Sequence, residues 1–366
     1  MSTTPTTSES RETEPVGPGK AELQPARLTH GTLPRRAAQL VLGAAALVGV
    51  ALWLPGVLGP VAAALLAAVG YTAGIYLWSR SVEGPRKAFD RFVTAVVTSA
   101  FLLALLPLVS VLFTVFDRGF ERFDAEFFTY SMRNIVGEGG GAHHALFGTL
   151  IITALAALIS VPVGMLTAIY LVEYGRGRLA RYITFFVDVM TGIPSIVAGL
   201  FAFALFQLFL GPAVRMGFMG AVALSVLMIP IVVRSTEEML KLVPNELREA
   251  SYALAVPKWR TIMKVVLPTA AAGIGSGVTL AIARVIGETA PLLVTVGLTT
   301  SDNFNPFDGR MATLSVFSYS QYASPGVPPE FSLDRAWAAA LTLILVVMVL
   351  NLVARLIARL FAPKTR

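Results

Sequence analysis

The stretch Phe92-Val-Thr-Ala-Val-Val-Thr-Ser-Ala-Phe-Leu-Leu-Ala-Leu-Leu-Pro-Leu-Val-Ser-Val-Leu-Phe-Thr-Val-Phe116 holds no acidic or basic residue. A helix needs about 20 predominantly apolar residues to cross a hydrocarbon core roughly 30 Å thick, and this run exceeds that. Five more runs are free of Asp, Glu, Lys and Arg: between Arg36 and Arg80, between Glu138 and Glu173, from Val189 to Val214, from Met216 to Val233, and from Ala336 to Ala354. Composition points the same way. Of 366 residues 55% are hydrophobic and 14% charged, whereas a soluble domain carries about 25% charged residues; mean hydropathy is +0.71. The expected class is all-α, a polytopic membrane helical bundle.

Eight spans are predicted, near Ala37–Leu54, Val57–Trp78, Phe92–Phe116, Ala145–Val172, Ile183–Leu210, Met216–Val233, Ala270–Leu292 and Ala336–Ile357. The first two form a hairpin around Pro55-Gly56 and Gly59-Pro60. The net charge of +7 is distributed as a topology signal rather than as a nucleic-acid surface. With the N-terminus inside, 22 of the 29 basic residues fall on the inner side and six outside, with Arg284 within a span. This bias sets orientation, so both termini are expected in the cytoplasm of a bacterial cell, with the chain in its inner membrane. Residues 1–36 read as a disordered cytoplasmic tail with no signal-peptide pattern. The chain has no cysteine, which excludes disulfides and cysteine metal sites. His143 and His144 read as solvated loop residues rather than metal ligands.

Two connecting segments are long. The outer one, about Thr299–Asp334, carries Phe304, Phe307, Phe317, Tyr319 and Tyr322, suited to packing on the membrane surface or meeting an external partner. The inner one, about Arg234–Pro268, is bounded by prolines. Pro244 suits a first helical turn, with Glu246 and Glu249 near the positive end. Pro257 biases Val256 toward extended geometry. The expectation is a short amphipathic helix lying crosswise under the bundle and able to transmit a push from a partner.

Within this segment Glu249-Ala250-Ser251, Ala255, Pro257 and Leu267-Pro268 resemble the EAA loop of ABC importer permeases. The family consensus has Ala where Ser251 stands and Gly where Ala255 stands, and glycine tolerates the positive φ that alanine resists. Arg284-Val-Ile-Gly287-Glu288-Thr289-Ala290-Pro291, with the Arg234-Ser-Thr-Glu237-Glu238 entry to the loop, resembles phosphate-specific permeases of the PstA type. The resemblance implies an ABC importer type I permease core of six spans over 81–366, the hairpin at 37–80 being an addition. It also implies a homologous second permease subunit, two cytoplasmic ATPase subunits that use the ATP, and an extracytoplasmic phosphate-binding protein. Contact with membrane lipid is expected, and with nucleic acid none. Glu249, Ala250, Ser251, Ala255, Pro257, Leu267 and Pro268 would couple to the ATPase.

Arg284 draws attention without any resemblance, because an Arg at a span's centre costs about 2.5–3.5 kcal/mol on insertion scales. At helical spacing Glu288 shares its face, so the pair is either a structural ion pair or a guanidinium facing a watery path and an oxyanion. Arg284, Glu288, Thr289, Arg234 and Ser195 are the candidate pathway residues, Ser195 because Thr191-Gly-Ile-Pro194-Ser195 interrupts a helix at membrane depth. Asp188 reads as a cytoplasmic-rim carboxylate. No G-x-x-x-x-G-K-[ST] pattern occurs, so no phosphate-cradling ATP loop is expected in this chain, nor a catalytic residue or a cofactor. Sulfate or molybdate as cargo, and an ion-coupled secondary transporter, are the competing readings. The latter would call for coupling carboxylates and internal repeats, and the spans offer only Glu288 and Asp188.

Overall fold

The computed structural model describes residues 31–361. All regular elements among the described residues are helical. They are α1 (Ala37–Trp53), α2 (Pro60–Val82), α3 (Pro85–Gly119), α4 (Ala125–Thr129), α5 (His143–Ile169), α6 (Arg178–Thr191), α7 (Ser195–Leu210), α8 (Gly217–Lys241), α9 (Asn245–Ala253), α10 (Lys258–Thr261), α11 (Leu267–Val285), α12 (Ala290–Thr295), α13 (Leu314–Ala323) and α14 (Glu330–Phe361). Two π-helical turns, Tyr170–Tyr174 and Ile262–Val266, extend α5 and join α10 to α11. Six helices or joined helices are long and apolar enough to cross a membrane: α2, α3, α5, α8, α10–α11 and α14. The 17-residue α1 is apolar but shorter.

Two predicted spans are interrupted. The stretch Ile183–Leu210 breaks at Gly192–Pro194 into α6 and α7, whose axes bend by 109°. Pro194 cannot donate a helical hydrogen bond and disfavours helical geometry at Ile193. The stretch Ala270–Leu292 stops at Val285, and α12 starts afresh at Ala290. A continuous helix there would drive the Pro291 ring into the carbonyl of Gly287.

The chain divides into two compact units, one ending at Ser110 and the other beginning at Val111. In the first, α1 packs on α2 around buried Leu33, Ala37, Tyr71, Ile75 and Ala95. Glu83, just past the end of α2, is the polar anchor. Its carboxylate accepts the Leu33 N–H (2.9 Å), the Ser79 hydroxyl (2.9 Å) and two Arg91 N–H groups (2.5 and 2.9 Å). Most of the stretch read as a tail lies outside the described residues. Its end does not behave as one, because Leu33 is buried and held by Glu83.

In the second unit α8 is the central post. It packs on α5, α6, α7, α11 and α12, and 61% of its apolar window is buried, against 28–33% for the windows of α5, α10–α11 and α14. Its Leu224, Met228 and Val232 meet Ile152 and Ala156 of α5, Ala281 and Val285 of α11, and Leu292 of α12. Small residues permit this closeness. A Cβ on Gly164 would lie 2.7 Å from Val232 Cγ1, and one on Gly199 would lie 2.6 Å from Pro291 Cα. The second contact sets α12 against α7, beside the 192–194 break.

The outer segment is partly core. Phe317, read as a surface aromatic, is buried on α13, where its ring stands edge-on to His144 at 5.4 Å. Phe304 and Phe307 stay exposed but lie against Phe147 and Phe218, at 5.5 and 5.1 Å. The two histidines are not loop residues. Both sit in the first turn of α5, His143 with Nδ1 2.9 Å from Asp302 and His144 buried with neither ring nitrogen hydrogen-bonded. They start a helix whose apolar face begins at once, which the charge pattern alone does not reveal.

Candidate functional site

The coupling segment takes the shape its prolines dictate. Pro244 caps α9 and Pro257 caps α10. α9 carries Glu249 and Ala250 on its exposed side, while Ser251 is buried. The Ser251 hydroxyl lies 2.8 Å from that of Thr261, also buried, tying α9 to α10. Exposed Leu254 and Trp259 flank the turn between them. Ala255 sits in that turn at φ +55°, in the left-handed region where a Cβ costs roughly 1–2 kcal/mol. The turn the family glycine would make is present here, under strain. Pro257 and Pro268 are exposed, and Leu267 is half-buried where the chain enters α11.

Arg248, on the inner side of α9, fastens the segment to the bundle. Its guanidinium donates twice to Glu173 Oε1 (3.1 and 3.0 Å) and to the carbonyls of Val243 (2.6 Å) and Leu240 (3.0 Å). The Arg248 side chain is half-buried and that of Glu173 buried, at 12% and 5% exposure. Glu173 belongs to the π turn after α5 and Leu240 to the end of α8, so one arginine links the coupling helix to the two helices that pack most deeply. Lys258 donates to the Glu173 carbonyl and lies over the Tyr174 ring at 4.8 Å. The sequence reading missed Arg248 and Glu173. They lie 75 positions apart, and the one available hint was a carboxylate directly after an apolar span.

Arg234, near the end of α8, is paired with Asp188 of α6 and with Glu237 (2.9 Å), which also accepts from Lys241 (2.7 Å). This chain of charges holds α6 to α8. Ser195, half-buried, is the first residue of α7.

Arg284 and Glu288 do not share a helical face, contrary to the spacing argument. Arg284 is the penultimate residue of α11, and Glu288 lies in the non-helical link before α12. No carboxylate among the described residues lies within ion-pair distance of Arg284, which is exposed. The link is held by its backbone: the Glu288 carbonyl accepts the Ser315 hydroxyl at 2.8 Å, and its N–H donates to Val285 O at 3.1 Å. Thr289, half-buried, is the residue before α12. The structure therefore brings Glu288 and Thr289 together at one helix break, with Arg284 at its rim. Arg234 belongs to a separate ion-pair cluster.

A family model described as binding-protein-dependent transport system inner membrane component matches residues 160–366. The chain is 48% identical over 284 residues to the phosphate transport system permease protein PstA 1 of Mycobacterium tuberculosis H37Rv, covering 77% of this chain and 91% of that protein. It is 49% identical over 279 residues to PstA of Mycobacterium leprae, covering 75% and 90%. Among solved structures, the inward-facing MetNI methionine ABC transporter aligns with a TM-score of 0.47 at 21% identity, over 61% of this chain and 95% of that one. The chain belongs to the binding-protein-dependent transport system inner membrane component family, in its branch of PstA phosphate transport system permease proteins.

Proposed function

We propose that this chain is the permease subunit of an ATP-driven phosphate importer in a bacterial inner membrane. The observation that carries the cargo is the identity of nearly one half with phosphate permeases across nine tenths of their length. The geometry supports the role. A strapped helix and the turn after it offer Glu249, Ala250, Leu254 and Trp259 to a partner, and an exposed guanidinium with no carboxylate partner among the described residues stands beside a helix break. In this reading both termini are cytoplasmic and α9 seats in a cleft of one of two ATPase subunits. A homologous second permease completes the path, and an extracytoplasmic binding protein delivers phosphate.

Mechanically, α9 cannot move alone. A push on it passes through Arg248 to Glu173 at the foot of α5 and to the carbonyls at the foot of α8. Because α5 and α8 share the central core with α11 and α12, the push reaches the break that carries Glu288 and Thr289. Arg284 there presents N–H donors suited to an oxyanion, and its lack of a carboxylate partner leaves those donors for phosphate. ATP binding and hydrolysis take place on the partner subunits. The core at 81–366 performs this cycle, and the 37–80 hairpin is an addition to it.

The test is uptake of radiolabelled phosphate in cells lacking this chain and in cells complemented with it, with sulfate as competitor. Restored uptake that a large excess of sulfate leaves unchanged is the expected result. Competition by sulfate, or complementation that brings back no uptake, overturns the phosphate reading.

A further inference from the structure

A second pair of arginines converges away from the helix break. Arg215 lies in the α7–α8 connection, two residues before α8, and Arg310 lies in the segment leading to α13. Gly297, just beyond α12, separates them at φ +76°. A Cβ on Gly297 would stand 3.2 Å from Arg215 Cδ, 3.3 Å from its Nη1 and 3.5 Å from Arg310 Cδ. Both arginine stems thus close on the same point of backbone.

Like charges drawn together repel unless something neutralises them. Among the described residues neither guanidinium has a carboxylate within ion-pair distance or donates a hydrogen bond to protein. Arg215 is half-buried, with its guanidinium carbon 5.9 Å from the centre of the Phe203 ring. Other arginines assigned to the same side of the membrane behave differently. Arg122 is matched to Asp124 and Glu126, and Arg335 donates to the carbonyls of Gly137 and Gly139 (2.8 and 2.9 Å). Arg118 and Arg133 have no carboxylate partner either and are exposed, as Arg310 is; half-buried Arg215 is what sets the pair apart. Two arginine stems that meet at Gly297, one of them half-buried and neither with a carboxylate partner among the described residues, can turn their guanidinium forks to a compact dianion, which such forks fit well.

We propose that Arg215 and Arg310 form an outer oxyanion site that takes phosphate before it reaches Arg284. This rests on the phosphate-importer reading and adds a step to it. Phosphate released from the binding protein would land between the two guanidinia. It would then pass along α12, which runs from the Glu288–Thr289 break to Gly297. Gly297 sits at φ +76°, where a side chain is strained, and a Cβ there would also crowd Arg215.

The experiment uses the complete importer in proteoliposomes. Phosphate-loaded binding protein is titrated against wild type, the Arg215→Gln/Arg310→Gln double variant and the Arg215→Lys/Arg310→Lys double variant, with radiolabelled phosphate counted inside. Loss of charge-assisted hydrogen bonds should lower the double Gln variant's maximal uptake about tenfold, with half-saturation by binding protein unchanged and the Lys variant partly restored. A raised half-saturation with full maximal uptake overturns the proposal, because it makes the arginines a docking patch for the binding protein. Unchanged uptake also overturns it. If the double Gln variant does not assemble, Arg310→Gln alone, at an exposed position, decides by the same criteria. Wild-type importer that carries no phosphate sinks the parent reading; active wild type with unaffected variants sinks only the outer site.

Discussion

The arginines of the coupling side and those of the path side are the same chemical group in opposite circumstances. On the coupling side Arg248 and Arg234 are each met by carboxylates, and Arg248 also takes two helix-end carbonyls. On the proposed path side Arg284, Arg215 and Arg310 meet none among the described residues. A paired guanidinium is occupied, and what it does is fix two pieces of chain together. An unpaired one keeps its donors for a visitor. In the proposed importer this difference would separate the part that transmits force from the part that handles anions, and it can be broken from either side.

The largest effect is expected at the strap. Arg248→Met strands the Glu173 carboxylate in a buried setting, which costs on the order of 3–5 kcal/mol. The variant should lose co-purification with its ATPase and melt at lower temperature in detergent. If adding Glu173→Met to Arg248→Met brings back stability but not transport, the pair transmits force as well as binding the loop. Full transport by Arg248→Met would remove the strap from the mechanism.

Arg284→Gln should do the reverse, leaving abundance and ATPase binding near normal. Loss of a charge-assisted contact of about 1.5–3 kcal/mol should cut phosphate uptake roughly ten- to hundredfold. Since Glu288 is not its partner, Arg284→Gln with Glu288→Gln should remain inactive. Recovered uptake in that double variant would show that Arg284 only balances Glu288 and belongs with the paired class.

Glu83 tests pairing in the first unit. Its hydrogen bonds from Arg91, followed by those from the Leu33 N–H and Ser79, outweigh burial and bring its pKa from 4.5 down to about 2. A depressed carboxylate pKa adds stability that is complete above the unfolded value and fades as pH falls through the folded one. Wild type should therefore out-melt Glu83→Gln at neutral pH, and the gap should shrink between pH 4.5 and about 2. A gap that stays constant over that window would mean that shape, not charge, holds the anchor.

The smallest change sharpens the coupling turn. Ala255→Gly relieves the left-handed strain, offset in part by the greater freedom of glycine in the unfolded chain. A net gain of about 1 kcal/mol or less is expected, read as a modest rise in melting temperature with transport intact. A fall in stability would show that the turn favours alanine for a contact of its methyl group.

Much of the architecture was legible because charge is so costly in a bilayer that its absence marks each span. The coupling helix was legible through Pro244 and Pro257, which delimit it in any setting. The positive φ at Ala255 was foreshadowed by the family's glycine. Three features were hidden, the first because it depends on neighbours distant in sequence. The pairing of Arg248 with Glu173 needs the fold to bring two chain segments together. The 109° bend at Gly192–Pro194 reads locally as an interruption, with nothing to state its angle. Helical spacing put Glu288 beside Arg284, but the helix stops at Val285 and restarts at Ala290, just ahead of Pro291.

The π turns at Tyr170–Tyr174 and Ile262–Val266 carry a consequence for how this chain tolerates change in length. Each holds one residue more than an α-helix would fit into the same turn, and π bulges of this kind occur often at functional sites. Because that residue is absorbed within the turn, deleting one residue from Tyr170–Tyr174 should let α5 run on as ordinary α-helix with its later register kept, whereas the same deletion in the α-helical part would rotate every later side chain by about 100°, one residue's share of a 3.6-residue turn. That larger rotation would swing Glu173 away from Arg248. The spare residue is a register device: it lets a membrane helix of fixed pitch present its last carboxylate to a segment whose position is set elsewhere in the chain.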